Sequence, residues 1–174
     1  MLNRIFILLI LIFNNPIFSN ALGNDQLNFD ISQIEILDGG NKIIGKKRGT
    51  ITTNDGVIIN ADNFEYDKNK NILKANGNIE IEDKINNYNV SSENILYNKN
   101  TEKIEIKGKS NALIYSNYNF KTKDLIIYRK ELIISSDIGA TIIDKKNKTL
   151  YEIGKFNYSL KDEIIKSEKI FINT

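Results

Sequence analysis

The sequence contains no cysteine and no histidine. Without cysteine there is no disulfide and no thiol chemistry. Without histidine the commonest general base and the commonest metal ligand are both gone. Tryptophan is absent as well, and the single proline, Pro16, lies close to the N-terminus. An excess of one charge is also lacking: 24 basic residues face 22 acidic ones along 174 residues, for a net charge of +2. No basic field is therefore available to hold a nucleic acid. An enzyme built from this alphabet would need Asp/Glu or Ser/Lys chemistry, and no such constellation stands out. "GKS" at Gly108, Lys109 and Ser110 echoes a phosphate-binding loop, but Lys103 occupies the place of the glycine that loop requires. No cofactor is expected. About 80 residues are Ile, Asn or Lys, so the abundance of Asn or Lys says little by itself.

The one long apolar run is N-terminal. "MLNRIFILLILIFNNPIFSNALG" opens with a positive Arg4, continues through a nine-residue apolar stretch at 5–13, and breaks at Asn14, Asn15 and Pro16. Ser19 and Ala21 then place small residues at −3 and −1 of a cleavage site. This is the pattern of a secretory signal peptide, and the run is too short to span a bilayer. Residues 1–21 are read as the signal peptide and 22–174 as one exported domain, in a periplasmic type of compartment.

From Phe29 onward the sequence alternates apolar and polar residues in short runs broken by Asn, Asp, Lys and Gly. No helical stripe is visible, and Ile, Val, Thr, Tyr and Phe recur at period two, the signature of strands. Tyr66, Tyr97, Tyr128 and Tyr158 are spaced 31, 31 and 30 residues apart. Two places before them stand Phe64, Ile95, Ile126 and Phe156. Gly77, Gly108 and Gly139 follow the first three tyrosines by eleven, and Lys169 holds that place in the fourth copy. A fixed period of this size means one supersecondary unit used repeatedly. Each unit reads as two strands joined by Asn/Asp-rich turns such as "DKNKN" and "NKNTEK". The whole is an all-β antiparallel meander of about ten strands, each 9–12 residues long. The mid-strand glycine would mark a bulge. One copy strains the pattern: after Tyr128 the turn "RKE" is short, and Leu132, Ile134, Ile138 and Ile142 fall on the opposite parity. A bulge or a register shift would reconcile the two.

In "NFEYD", "LKANGNIEI" and "IEIKGK", apolar residues share one face and charged residues the other. A sheet of this kind must close or fold over to bury that face. A membrane barrel is disfavoured, because aromatics are only 9% of the chain and do not cluster at strand ends.

The stretch "INADNFEYDKNKNILKANGNIEIED" resembles the repeat of the OstA-like lipopolysaccharide-transport family. The matching places are Ala61-Asp62, Tyr66-Asp67, Leu73, Ala75, Gly77-Asn78, Ile79 and Ile81. "SSENILYNKN" resembles the strand that follows in the family. "FDISQIEILDGGNKIIG" resembles the start of the N-terminal domain of the outer-membrane lipopolysaccharide-assembly protein. The resemblance is specific in the first copy and looser in the later two. It implies a V-shaped antiparallel β-jelly-roll in the periplasm, associated with outer-membrane assembly. It also implies a lipopolysaccharide ligand whose lipid A acyl chains lie in an apolar groove. Partners would be like-folded transport proteins docked through edge strands, with head-to-tail self-association a further form of the same contact. The residues expected to line the groove are Phe64, Tyr66, Leu73, Ala75, Ile79, Ile81, Ile95, Tyr97, Ile104 and Ile106. Lys107, Lys109, Lys121 and Lys123 lie where lipid phosphates could meet them. The alternative from another class is a structural or adhesive β-solenoid whose interior is simply filled.

Overall fold

A computed structural model describes residues 27–173; the expected signal peptide lies outside the described residues. Thirteen antiparallel strands form one continuous sheet. Seven are long: β1 (Asn28–Leu37), β2 (Lys42–Thr52), β3 (Val57–Asp67), β4 (Ile72–Asp83), β5 (Tyr88–Asn98), β6 (Lys103–Ile114) and β7 (Tyr118–Tyr128). Six are short: β8 (Ile133–Ser136), β9 (Ala140–Asp144), β10 (Thr149–Ile153), β11 (Phe156–Ser159), β12 (Ile164–Ser167) and β13 (Ile170–Asn173). The short ones are long strands interrupted in the middle. β8 and β9 pair with the two ends of β7, β11 pairs β8, and β10 pairs β9. β12 and β13 then pair β11 and β10. Taken with its interruptions healed, the chain is the expected meander of ten long strands.

Every long pair shifts register at its midpoint. The shift falls between Lys46 and Gly49 in β2, Asn76 and Ile79 in β4, and Lys107 and Ser110 in β6. The extra residue sits in the left-handed region: Lys47 at φ 71°, Gly77 at 78° and Gly108 at 89°. These bulges answer the expectation drawn from the glycines, and Lys47 shows one more copy of the device upstream. The opposing strands solve the same problem by changing parity. In β3, Val57, Ile59 and Ala61 face inward, and so do Phe64 and Tyr66. Two consecutive outward residues, Asp62 and Asn63, stand between the two sets. β5 repeats this with Glu93 and Asn94. An aligned row of bulges bends every strand in the same direction. The sheet therefore folds along this row into two arms that share one interior.

Turn chemistry follows the sequence closely. Asp67, Asp83, Asn98 and Asp144 each accept a backbone N–H from within their own turn. Successive turns are also stitched by backbone bonds: Lys68 N–H to Asn41, Lys99 to Asn71, Arg129 to Glu102 and Leu160 to Leu132.

The strained third copy has a physical cause different from the one expected. The "RKE" turn is not the short one: residues 129–132 separate Tyr128 from its partner Ile133, just as 99–102 separate Asn98 from Lys103. The shortening lies earlier. Three residues, 115–117, join β6 to β7, whereas four, 84–87, join β4 to β5. One residue fewer moves Leu125 and Ile127 into the interior and turns Ile126 and Tyr128 away from it. The tyrosine ladder is thus broken at Tyr128, where Ile127 takes the inward place. The gap at residues 137–139, between β8 and β9, restores the alignment. Ile134 and Ile142 are buried on either side of it, and Ile138 protrudes.

Candidate functional site

All ten residues expected to line an apolar groove belong to one buried cluster. Eight of them lie on one arm: Phe64, Tyr66, Leu73, Ala75, Ile95, Tyr97, Ile104 and Ile106. Ile79 and Ile81 lie on the other. Cross-strand neighbours build the rows: Tyr66 opposite Leu73, Leu73 opposite Tyr97, and Tyr97 opposite Ile104. Burying each large side chain is worth roughly 1.5–3 kcal/mol. The rows therefore hold the fold together whatever else they do.

The second arm supplies residues that the repeat pattern did not single out. Ile51, Val57, Ile59, Tyr88, Val90, Ala112, Ile114 and Phe120 complete the interior. The available signal was the change of parity at Asp62 and Asn63, which lets one strand carry two inward sets.

The arms meet along their free ends. Phe29, near one end of its strand, lies 5.9 Å from the ring of Tyr66 at the opposite end of β3. Phe120 touches Phe156 and Tyr158 at 5.6 and 5.5 Å, again from opposite arms. The Tyr115 hydroxyl donates to the Leu160 carbonyl oxygen across the same seam. In this state side chains fill the interior.

One ionic cluster closes the seam. Arg129, just after β7, has a side chain only 5% exposed. Its Nη2 lies 2.6 Å from Asp55 Oδ2 and 3.7 Å from Asp83 Oδ2. Its Nη1 lies 3.9 Å from Glu102 Oε2 and donates to the Tyr97 hydroxyl at 3.5 Å. Asp55 and Asp83 come from the turns at one end of the long strands, and Arg129 and Glu102 from the turns at the other. Burial would lower the Arg129 pKa, but the bond to Asp55 and the neighbouring Tyr88 and Tyr97 raise it overall. Burial works against the Asp55 carboxylate too, yet hydrogen bonds from Thr53 and Arg129 hold it below the usual range. Burial, and then the charge of Asp83, push the Tyr88 phenol well up. Nothing in the sequence marked Arg129, since an Arg in a polar turn reads as a solvated residue.

The charged members of the interior, Asp83, Arg129 and Asp144, all stand at strand ends or in turns. Between them the cavity wall is aliphatic and aromatic. It can offer dispersion contacts and hydrocarbon burial. Glu80 and Glu82, close in sequence to Asp83, do not join it: Glu80 pairs with Arg48 at 3.1 Å and Glu82 with Lys84 at 3.9 Å.

Both margins of the sheet are unpaired among the described residues. β1 pairs only β2, β12 only β11, and β13 only β10. Each margin exposes large apolar side chains. Ile34, Ile36 and Leu37 stand on β1, and Ile170, Phe171 and Ile172 on β13. Ile36 is 65% exposed and Phe171 64%.

The chain is thus an all-β protein of antiparallel two-strand repeats, folded along a row of bulges into two packed arms. No protein-family model matches the sequence, and no curated protein matches it. Among solved structures it is similar to LptH, described as the LptA homologous periplasmic component of the conserved lipopolysaccharide transport device from Pseudomonas aeruginosa. That similarity spans 86% of this chain and 94% of the other, at 10% sequence identity and a TM-score of 0.34.

Proposed function

We propose that this chain is a non-enzymatic scaffold for lipopolysaccharide transfer across the periplasm. Its apolar interior receives acyl chains, and its sheet margins dock to like-folded partners. The observation that carries the reading is the interior itself. Repeated units stack the same apolar rows side by side from one margin to the other, with charge confined to the strand ends. Each methylene of an acyl chain moved into such a slot gains about 0.8 kcal/mol. Entry requires the arms to part along the seam held by Arg129 and by Tyr115. The sequence likeness around Phe64 to Ile81 supports lipopolysaccharide as the lipid.

A photoreactive phenylalanine diazirine at Phe64 and a photoreactive aliphatic diazirine at Ile79 test the interior in cells. Glu65 and Glu80 serve as outward controls. Lipopolysaccharide adducts are expected at Phe64 and Ile79 alone. A folded protein without adducts at either would leave a filled structural or adhesive solenoid, the reading that the tight packing favours.

The margins make a second prediction. An unpaired strand with exposed Ile and Phe is a template for another strand. A contact between opposite margins of two copies does not close and can propagate. Ile172→Pro removes a backbone donor from β13. It is expected to abolish concentration-dependent association in sedimentation velocity while leaving the circular dichroism spectrum unchanged. Association that persists in the variant would exclude this margin.

A further inference from the structure

The largest cavity among those described lies outside the interior. It is a groove of about 1580 Å³ on the outward face of the arm that carries Ile79 and Ile81. It runs across the strands from β4 to β10, beside the row of bulges. Glu80, Ser91, Asn111, Asn119, Lys121 and Thr141 form part of its lining. By parity these alternate with the inward Ile79, Val90, Ala112, Phe120 and Ile142, so they point away from the core.

The chemistry of this lining is selective. The side-chain oxygens of Asn111 and Asn119 are both buried and accept no hydrogen bond. They stand diagonally on adjacent strands, because Asn111 is opposite Lys121 and Asn119 opposite Leu113. A buried acceptor left without a donor costs about 1–3 kcal/mol, so a ligand that donates is favoured here. A phosphate diester or carboxylate only accepts and cannot satisfy these oxygens. The charges agree. Lys109, Lys121 and Lys123 form no ion pair among the described residues, and the same lining carries Glu80, Glu93 and Glu152. Three cations against three anions do not make a polyanion cradle. No aromatic residue lines the groove, so nothing is there for a nucleobase to stack on. Hydroxyl, amide, ammonium and carboxylate groups spread along an extended trough suit a molecule that both donates and accepts at every step.

We infer that this outward groove binds an oligosaccharide chain, through donation from sugar hydroxyls to Asn111 and Asn119. The inference does not rest on the lipid reading. The saccharide could be free or be the polar part of a glycolipid. The test is an amide-resonance titration of the full 174-residue chain. The probes are maltoheptaose, the delipidated oligosaccharide of lipopolysaccharide, the intact lipopolysaccharide, and tripolyphosphate.

At least one free saccharide is expected to shift the amides around Asn111, Asn119 and Thr141. The double variant Asn111→Leu/Asn119→Leu is expected to weaken that binding by at least about tenfold, while its melting temperature is unchanged or higher, because two unpaired buried oxygens are removed. A merely structural pair would not produce that opposition of binding and stability. Absence of shifts with every saccharide at about 10 mM overturns the inference. So does a response to tripolyphosphate alone, which would mark an anion patch built on the lysines. Saccharide binding without interior adducts at Phe64 leaves the groove standing and removes the lipid reading. Adducts with no saccharide response do the reverse.

Discussion

Arg129→Met is expected to cost about 3–5 kcal/mol, because it leaves a buried carboxylate without its partner. The Asp83 side chain is 1% exposed and faces the Arg129 guanidinium at 3.7 Å. Asp55, on the neighbouring turn, loses its 2.6 Å contact at the same time. Methionine preserves much of the volume, so the loss reports charge rather than a cavity. For a chain of this length 1 kcal/mol corresponds to about 2–4 °C, and the melting temperature should fall by roughly 6–20 °C. Adding Asp83→Asn to the variant should recover a good part of this. The Asn86 bonds to residue 83 can still form in part, and the unpaired charge is gone. A double-mutant cycle measures the coupling. Additive effects would mean that Arg129 acts on Asp55 and Glu102 alone.

The same cluster fixes the sign of a pH effect. The Asp55 carboxylate has a folded pKa below its ordinary value. A depressed carboxylate contributes stability above the unfolded pKa of about 3.9, and that contribution is lost as pH falls through the folded value. Glu65, Asp67, Asp137 and Asp144 are shifted the same way by their own partners. The wild-type chain should therefore lose stability progressively below about pH 5. In Arg129→Met the slope should be shallower, since Asp55 keeps only its bond from Thr53. The seam would then be the part of the fold most sensitive to acid.

The strands, the period and the inward rows of the first copies were legible because each rests on local chemistry. Alternation declares a strand, Asp and Asn at turns bond their own backbone, and a glycine in mid-strand declares a bulge. Phe64, Leu73 and Ile104 needed nothing further. Three things were not legible. The change of parity at Asp62–Asn63 is a consequence of folding the sheet on itself, and only the far arm makes it favourable. The displacement of Tyr128 by Ile127 depends on a one-residue shortening in a turn ten residues upstream. Arg129 acquires its burial from turns 74 and 46 residues away, at Asp55 and Asp83. Long-range closure is carried by residues that look ordinary where they stand.

Gly139 and Gly108 occupy matching places in the repeat, yet substitution by alanine should separate them sharply. Both are left-handed, at φ 86° and 89°. That conformation alone costs an L-residue about 1–2 kcal/mol. At Gly108 an added Cβ meets nothing within 4 Å, so the backbone term is the whole effect. Gly108→Ala should lower the melting temperature by only about 2–8 °C. At Gly139 the same atom would lie 2.2 Å from the Ile153 carbonyl oxygen and 3.1 Å from Gly154 C and Cα. Those are backbone atoms, and no rotamer change relieves them. The break between β8 and β9 is locked against the break between β10 and β11 at this point. Moving it would part the last strands from β7. The Thr122 hydroxyl, which donates to the Gly139 carbonyl oxygen at 2.7 Å, would be carried with it. Gly139→Ala should thus cost more than about 3 kcal/mol, among the larger single-residue effects. Hydrogen exchange should locate the damage in residues 133–173 and leave β2 to β5 protected. Lys47 gives the internal control, since it already tolerates φ 71° in the same device upstream. Lys47→Gly should stabilise by up to about 1 kcal/mol. Equal losses for the two glycine variants would mean that the bulge conformation alone governs both sites, and that the close approach at Ile153 relaxes freely.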